Sequence, residues 1–297
     1  MAKAFSILIP TWNNLPYLKL CVDSIRKNSC TEHQIIIHVN EGTDGTLEWV
    51  KKEGLDYTYS EQNIGVCLAM NTMRRLVKTD YILFLNDDMY VLPNWDSVLM
   101  DEVDRLPDNL FYLSGTMIQP HDKNDVGLCI NYGDSIETFQ EERLLREYMN
   151  EPVEDWQGAT RPPSLIHRDI WDLVGGYSVE LTPGMYSDPD FTAKLLLVGV
   201  RHLKGLGNSR IYHFETKTTQ RIKKNDGATQ FLLKWGLSNS DMRKLITRQG
   251  EPWPNHKQPI NIYALQKKLR MARFKAIWYL LRKGFGNARD FSEYIKM

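Results

Sequence analysis

Five apolar residues, Tyr81 to Leu85, run without a break into Asn86, Asp87 and Asp88. A run this short, rich in aromatic and branched side chains, suits a strand covered on both faces, so the surrounding chain must supply a parallel or mixed sheet packed between helices. Ligands gather at the carboxyl ends of strands in such sheets, which is where this run delivers its carboxylates. Adjacent carboxylates repel each other and lose hydration there, so a cation or tight hydrogen bonding must compensate, and a divalent metal holding phosphates is the first expectation. A loop or helix cap built from the same residue types is the simpler alternative.

The flanking sequence repeats one rhythm. Phe5 to Ile9 reads as a strand ended by Pro10, and Leu15 to Lys27 reads as a helix carrying Leu18, Cys21, Val22 and Ile25 on one face. Gln34 to Val39 and Asp56 to Ser60 are further strands, each followed by a glycine-punctuated loop and a helix, Leu47 to Lys52 and then Val66 to Val77. This alternation predicts a doubly wound sheet whose loops meet along one edge. Beyond Asp88 the pattern loosens. A helix is expected near Asp96 to Arg105, a strand near Leu110 to Met117, mixed helix from Ser135 to Asn150, helices at Asp169 to Leu173 and Phe191 to Val198, and a late strand at Arg210 to Phe214.

Lysine plus arginine and aspartate plus glutamate balance at 37 each in 297 residues, so no overall charge argues for a nucleic acid partner. The opening apolar run is too short for a signal peptide core, and no span reaches the roughly 20 apolar residues of a membrane helix. Cys21, Cys30, Cys67 and Cys129 are widely spaced, as in reduced cytosolic proteins. A cytoplasmic protein is expected.

The order of these pieces resembles the inverting family 2 glycosyltransferases of GT-A fold, from roughly Phe5 to Thr219. The resemblance is carried by Ile9 to Asn13, Asn40 to Thr46, Asn63 Ile64 Gly65 with Asn71, Phe84 to Asp88, Gly175 Gly176 Tyr177, and Ser187 to Asp190. It implies a Rossmann-like mixed central sheet flanked by helices, with a C-terminal helical extension. It divides the chain into a glycosyltransferase domain over 1–224 and the extension over 225–297. Within the domain, about 1–118 would bind the nucleotide sugar and 119–224 the acceptor.

The resemblance also implies roles. Pro10, Thr11, Trp12, Asn40, Asp44, Asn63 and Gly65 would line the nucleotide, with Trp12 against the base and Gly65 admitting close backbone approach. Asn86 and Asp87 would stand beside the ribose and the metal shell, and Asp88 with His213 would hold Mn²⁺ or Mg²⁺ against the donor diphosphate. Asp188 falls on the base that deprotonates the acceptor hydroxyl, with Asp190 as its rival. Arg161 and Arg168 are candidates for contacting diphosphate or an anionic acceptor. Three positions depart from the usual pattern: Asn86 replaces an aspartate, Ser187 a glutamate, and neither Asn40 nor Glu41 is the aspartate that reads uracil.

Residues 264–288 contain seven lysines and arginines and no acidic residue, interleaved with large apolar side chains. Such an amphipathic helix either lies on an anionic membrane, as a lipid-linked acceptor would suit, or docks on the domain. The expected activity is inverting transfer of a sugar, of hexosyltransferase type, from a nucleoside diphosphate sugar to a glycan, glycolipid or other polysaccharide precursor. A catalytically silent carbohydrate-binding protein on the same fold and a sugar nucleotidyltransferase are the alternatives. Donor sugar, linkage and oligomeric state are not legible.

Overall fold

The computed structural model describes residues 4–121, 126–216, 224–254 and 259–283. Thr219, positions 284–288 of the basic segment and residues 1–3 lie outside the described residues.

One half of a continuous sheet is parallel: β3 (Asp56–Ser60), β2 (Gln34–Asn40), β1 (Phe5–Trp12) and β4 (Tyr81–Phe84) lie side by side in that order. Its strands alternate strictly. Phe5, Ile7 and Ile9 of β1 and Tyr81 and Leu83 of β4 enter one core, whereas Leu8, Ile82 and Phe84 enter the other. The uninterrupted apolar run is thus the signature of a strand with a core on each face. Helix α1 (Leu15–Asn28) covers the first core together with α2 (Thr46–Lys52) and α4 (Trp95–Arg105), and α3 (Gly65–Met73) lies on the second. Strand β1 outruns the expected stop at Pro10, because β4 pairs with it only as far as Leu8 and the proline then faces a ladder on one side only.

The other half of the sheet is mixed. Strand β9 (Ser164–His167) inserts antiparallel between β4 and β6 (Phe111–Gln119); β10 (His202–His213) follows parallel to β6, and β5 (Met89–Val91) closes the edge antiparallel to β10. Two short strands, β7 (Leu128–Cys129) and β8 (Trp156–Gln157), add to β6 and β10. The expected helical stretch at 135–150 is helical only at α5 (Glu141–Glu147); before it, turns are closed by Thr138 bonding to Ser135 and Asp134. Helix α6 (Arg168–Val174) matches expectation, whereas α7 (Ser187–Leu197) starts four residues earlier than predicted. Its first turn therefore holds both Asp188 and Asp190.

Helices α8 (Gly227–Trp235), α9 (Asn239–Met242) and α10 (Ile262–Lys283) pack as a group against α7. Phe231, Leu237 and Met242 form a small core with Ala193, which Leu265 and Leu269 of α10 cover.

Candidate functional site

The carboxyl ends of β1 and β4 open into a cavity of about 570 Å³. Its floor is tied together by short bonds. Thr11 Oγ1 donates to Asp87 Oδ2 at 2.6 Å, and Thr216 donates to Asp88 Oδ2 through both its backbone nitrogen and its hydroxyl at 2.8 Å. His213 Nε2 stands 3.3 Å from the other Asp88 oxygen, while its Nδ1 is 3.3 Å from Gln119 Oε1. The end of β4 is thereby stitched to the end of β10. Burial works against the charge of Asp88, but His213 and the Thr216 bonds outweigh it and hold its pKa below the ordinary carboxylate range. His213 shows the complement: burial lowers its pKa, and the facing carboxylate lifts it above the usual histidine value.

The early loops form one wall. Pro10, Thr11, Trp12, Asn40, Asn63 and Gly65 all line the cavity. Both ends of the Asn40 amide are engaged: Nδ2 donates to the Thr11 carbonyl at 3.1 Å, and Oδ1 accepts from Ile64 N at 2.9 Å. An aspartate in its place has no N–H to give Thr11, so the asparagine joins the loops after β1 and β3. Asn63 Oδ1 accepts from Gly65 N at 2.9 Å, a tight turn that sets Gly65 at φ +76°. A Cβ there would lie 2.7 Å from Pro183 Cα, so only glycine lets this loop meet the opposite wall. Asp44 is not in the lining. Its carboxylate accepts from Leu15 N at 2.8 Å and Thr46 N at 3.1 Å, bracing the starts of α1 and α2.

Asp188 lines the far wall and accepts from Tyr177 Oη at 3.1 Å. Burial beside the Tyr177 and Phe191 rings, which stack 4.9 Å apart, pushes its pKa up to about 6, against the lowering effects of Tyr177 and Arg161. Asp190 turns the other way. It is fully buried and accepts from Ser178 Oγ at 2.5 Å and Trp235 Nε1 at 2.8 Å, and it pairs with Lys234 at 2.9 Å. Arg161 lines the cavity; Arg168 does not, and pairs with Asp80 at 3.0 Å. Asn71 makes two bonds to the Tyr177 backbone, at 2.7 and 2.8 Å, which fixes the approach to Asp188.

Of the residues singled out in the sequence, the cavity gathers Pro10, Thr11, Trp12, Asn40, Asn63, Gly65, Asn86, Asp87, Asp88, Arg161, Asp188 and His213, and omits Asp44, Arg168 and Asp190. Sequence reasoning missed Thr216 and Gln119, and it picked out Tyr177 as part of a motif without giving it a role. Thr216 is 128 residues from the carboxylate it bonds, so no local pattern announces it.

Among the described residues no group of three His, Cys, Asp or Glu side chains is placed to hold a metal ion. Asp88 and His213 offer two donors at the cavity floor. One oxygen and one imidazole donor would suit Mn²⁺ better than Mg²⁺.

A family model described as glycosyl transferase family 2 matches residues 6–169. Chondroitin synthase of Escherichia coli is 23% identical over 227 residues, which cover 73% of this chain but only 30% of that protein. Among solved structures, S. aureus TarS 1-349 in complex with UDP-GlcNAc superposes with a TM-score of 0.59 at 15% identity, over 78% of this chain and 65% of that one. The mannosyltransferase PcManGT from Pyrobaculum calidifontis, in complex with GDP-Man and Mn²⁺, gives a TM-score of 0.54 at 14% identity over 92% and 69%.

Proposed function

The chain belongs to glycosyl transferase family 2 and has the GT-A fold, and from that premise we propose that it transfers a sugar from a nucleoside diphosphate sugar to an acceptor hydroxyl with inversion at the anomeric carbon. The observation that carries this reading is the meeting, in one cleft, of loop residues Thr11, Asn40 and Asn63, the Asp88–His213 pair, and a carboxylate with raised pKa at Asp188. The nucleotide would rest on the early loops. Asp88 and His213 would hold Mn²⁺ or Mg²⁺, which when bound neutralises charge on the departing diphosphate. The acceptor oxygen attacks the anomeric carbon as the bond to the diphosphate breaks, and the hydroxyl proton passes to Asp188. A carboxylate with pKa near 6 is ionised at neutral pH yet more basic than an ordinary aspartate, which fits that role. Asp190 is discarded as base because its oxygens are taken by Ser178, Trp235 and Lys234.

The test is nucleotide binding. UDP or GDP with Mn²⁺ raises the melting temperature of the wild type, and Asp88→Ala abolishes the rise. A shift that survives the substitution would refute the placement of the donor diphosphate. The relatives that bind UDP-GlcNAc and GDP-Man set the nucleotides to try first.

The acceptor reaches this cleft at a membrane surface, in our proposal, through α10. One face of that helix is docked: Ala272 is buried, Lys268 pairs with Asp241 at 3.0 Å, and Tyr279 Oη donates to Asp226 at 3.1 Å. The opposite face leaves Tyr263, Met271, Phe274, Ile277, Trp278 and Leu281 in the open, with Phe274 74% and Leu281 81% exposed. Lys267, Arg270, Arg273, Lys275 and Arg282 lie among and beside them, and 262–283 holds no acid, so an anionic bilayer complements this face in both charge and polarity. No helix among the described residues is long and apolar enough to cross a membrane. Pelleting with phosphatidylserine vesicles, weakened by salt and lost in Phe274→Glu, is expected; equal binding to neutral vesicles would sink the idea.

A further inference from the structure

We propose that the protein holds an anionic group of its acceptor, a carboxylate or a phosphate, in a second pocket behind Asp188. The inference rests on the glycosyltransferase reading above. A pocket of about 140 Å³ adjoins the main cavity and shares Arg161 and Asp188 with it; Thr160, Tyr186, Asn239, Arg243 and Gln249 contribute its other polar walls. Asp188, the proposed base, thus faces donor space on one side and this pocket on the other.

Asn239, Arg243 and Gln249 come from the segment that follows the sheet, and that segment is firmly moored. Gly250 N donates to the Gln157 carbonyl at 3.0 Å, Gln157 N to that of Glu251 at 2.9 Å, and Trp253 N to that of Asp155 at 2.7 Å. Gly158 permits the approach, since a Cβ there would meet Gln249 Cα at 2.6 Å. Between Asn239 and Gln249 the chain winds a π-helical turn, Arg243–Thr247, a geometry that concentrates at functional sites. Gln249 N closes it on the Arg243 carbonyl at 3.0 Å. The far wall is therefore fixed relative to Asp188.

The chemistry of the walls selects the ligand. Arg161 and Arg243 line the pocket together with Asp188, and guanidinium forks match carboxylate and phosphate oxygens. Asn239 Oδ1 and Gln249 Oε1 are buried with no hydrogen-bond partner among the described residues. Buried acceptors of this kind are costly unless a donor reaches them, and hydroxyl groups are such donors. The two arginines describe a site for an anion, and the amides of Asn239 and Gln249 line it without setting what else the ligand carries. The volume of 140 Å³, against roughly 30 Å³ for one water in the liquid, admits a carboxylate or phosphate with its adjoining carbon. A sugar acid or polyol phosphate anchored there would present its next hydroxyl to Asp188.

The test uses the full chain with Mn²⁺ and UDP or GDP, and titrates two pairs of probes: methyl β-glucuronide against methyl β-glucoside, and glycerol 3-phosphate against glycerol. One charged member binds about tenfold tighter than its neutral counterpart, and Arg243→Gln removes the preference. The responding pair tells carboxylate from phosphate. Arg243→Lys, which keeps the charge, retains part of the preference, and melting temperatures verify that each variant is folded. Equal affinities within both pairs, or a preference that survives Arg243→Gln, overturns the pocket. A wild type that binds no nucleotide overturns the glycosyltransferase reading instead, so the two failures are distinct.

Discussion

Replacing the proposed base with its neutral isostere should stabilise the protein while silencing it. Burial lifts the Asp188 pKa from an ordinary 3.8 to about 6. Between those values the native state holds a proton that the unfolded chain releases, so stability falls as pH rises through that window and stays low above it. At about 1.4 kcal/mol per pH unit, the ionised side chain costs the fold roughly 3 kcal/mol at neutral pH. Asp188→Asn keeps the acceptor oxygen for Tyr177 and resembles the protonated acid, so it removes this cost. The side chain is partly open to cavity water, and we expect a gain of about 1–3 kcal/mol at pH 8, shrinking to near zero at pH 4. Urea unfolding of both proteins without nucleotide, at several pH values, measures it. Transfer in the wild type should rise with pH to a plateau above about 6, and the substitution should cost about 10²–10⁴-fold in rate. A variant less stable than wild type at pH 8, or a gain that does not vary with pH, would refute the burial argument. Full activity in the variant would remove Asp188 as base.

Gly65→Ala should lose at least about 2 kcal/mol and weaken nucleotide binding, because its φ of +76° and the 2.7 Å approach to Pro183 Cα leave no room for a methyl group. Unchanged melting and binding would contradict that. Glu102, held down to about pKa 2 by hydrogen bonds from His202 and Lys204 that outweigh its burial, contributes stability present above its ordinary 4.5 and lost as pH falls toward 2. Glu102→Gln should therefore cost about 3 kcal/mol at pH 7, with the two proteins converging near pH 2, and a constant difference across that range would exclude the pairing as the cause.

Strands β1, β2 and β4 were legible because their apolar runs meet a core on each face, so hydrophobicity writes the pattern; edge strand β3, with Tyr57 and Tyr59 exposed, was read from its aromatic and branched residues instead. Strand β10 is as deeply buried and was read only from Arg210 onward, since its first half is polar and glycine-rich. Lys204 survives burial by pairing with Glu102 and Asp155 at 2.9 Å, and His202 by bonding Glu102 at 2.9 Å. Gly205 and Gly207 lie where the Trp156 ring and the Val153 carbonyl press against the strand. Each polar or small residue is explained by a partner remote in sequence, and a local reading sees only the residue.

The same limit explains why Asp188 and Asp190 stayed rivals in the sequence. Two residues apart in a helix they point to nearly opposite faces, so at most one could serve the cleft, but their spacing does not say which. In the fold, Trp235 and Lys234 set the two carboxylates apart. Arriving from α8, they bond Asp190 at 2.8 and 2.9 Å and turn it into a structural anion, while Tyr177 and Phe191 leave Asp188 desolvated at the cavity wall. The helices beyond the sheet thus act on the site twice, by bonding Asp190 and by bringing Arg243 and Gln249 behind Asp188, the proposed base. A chain cut before α8 would leave Asp190 buried without its indole and ammonium partners, so the expected result of that truncation is loss of α7 packing together with loss of transfer, read as a lower melting temperature and an inactive protein. A truncated chain that melts and transfers like the full one would show that α8 to α10 are bystanders.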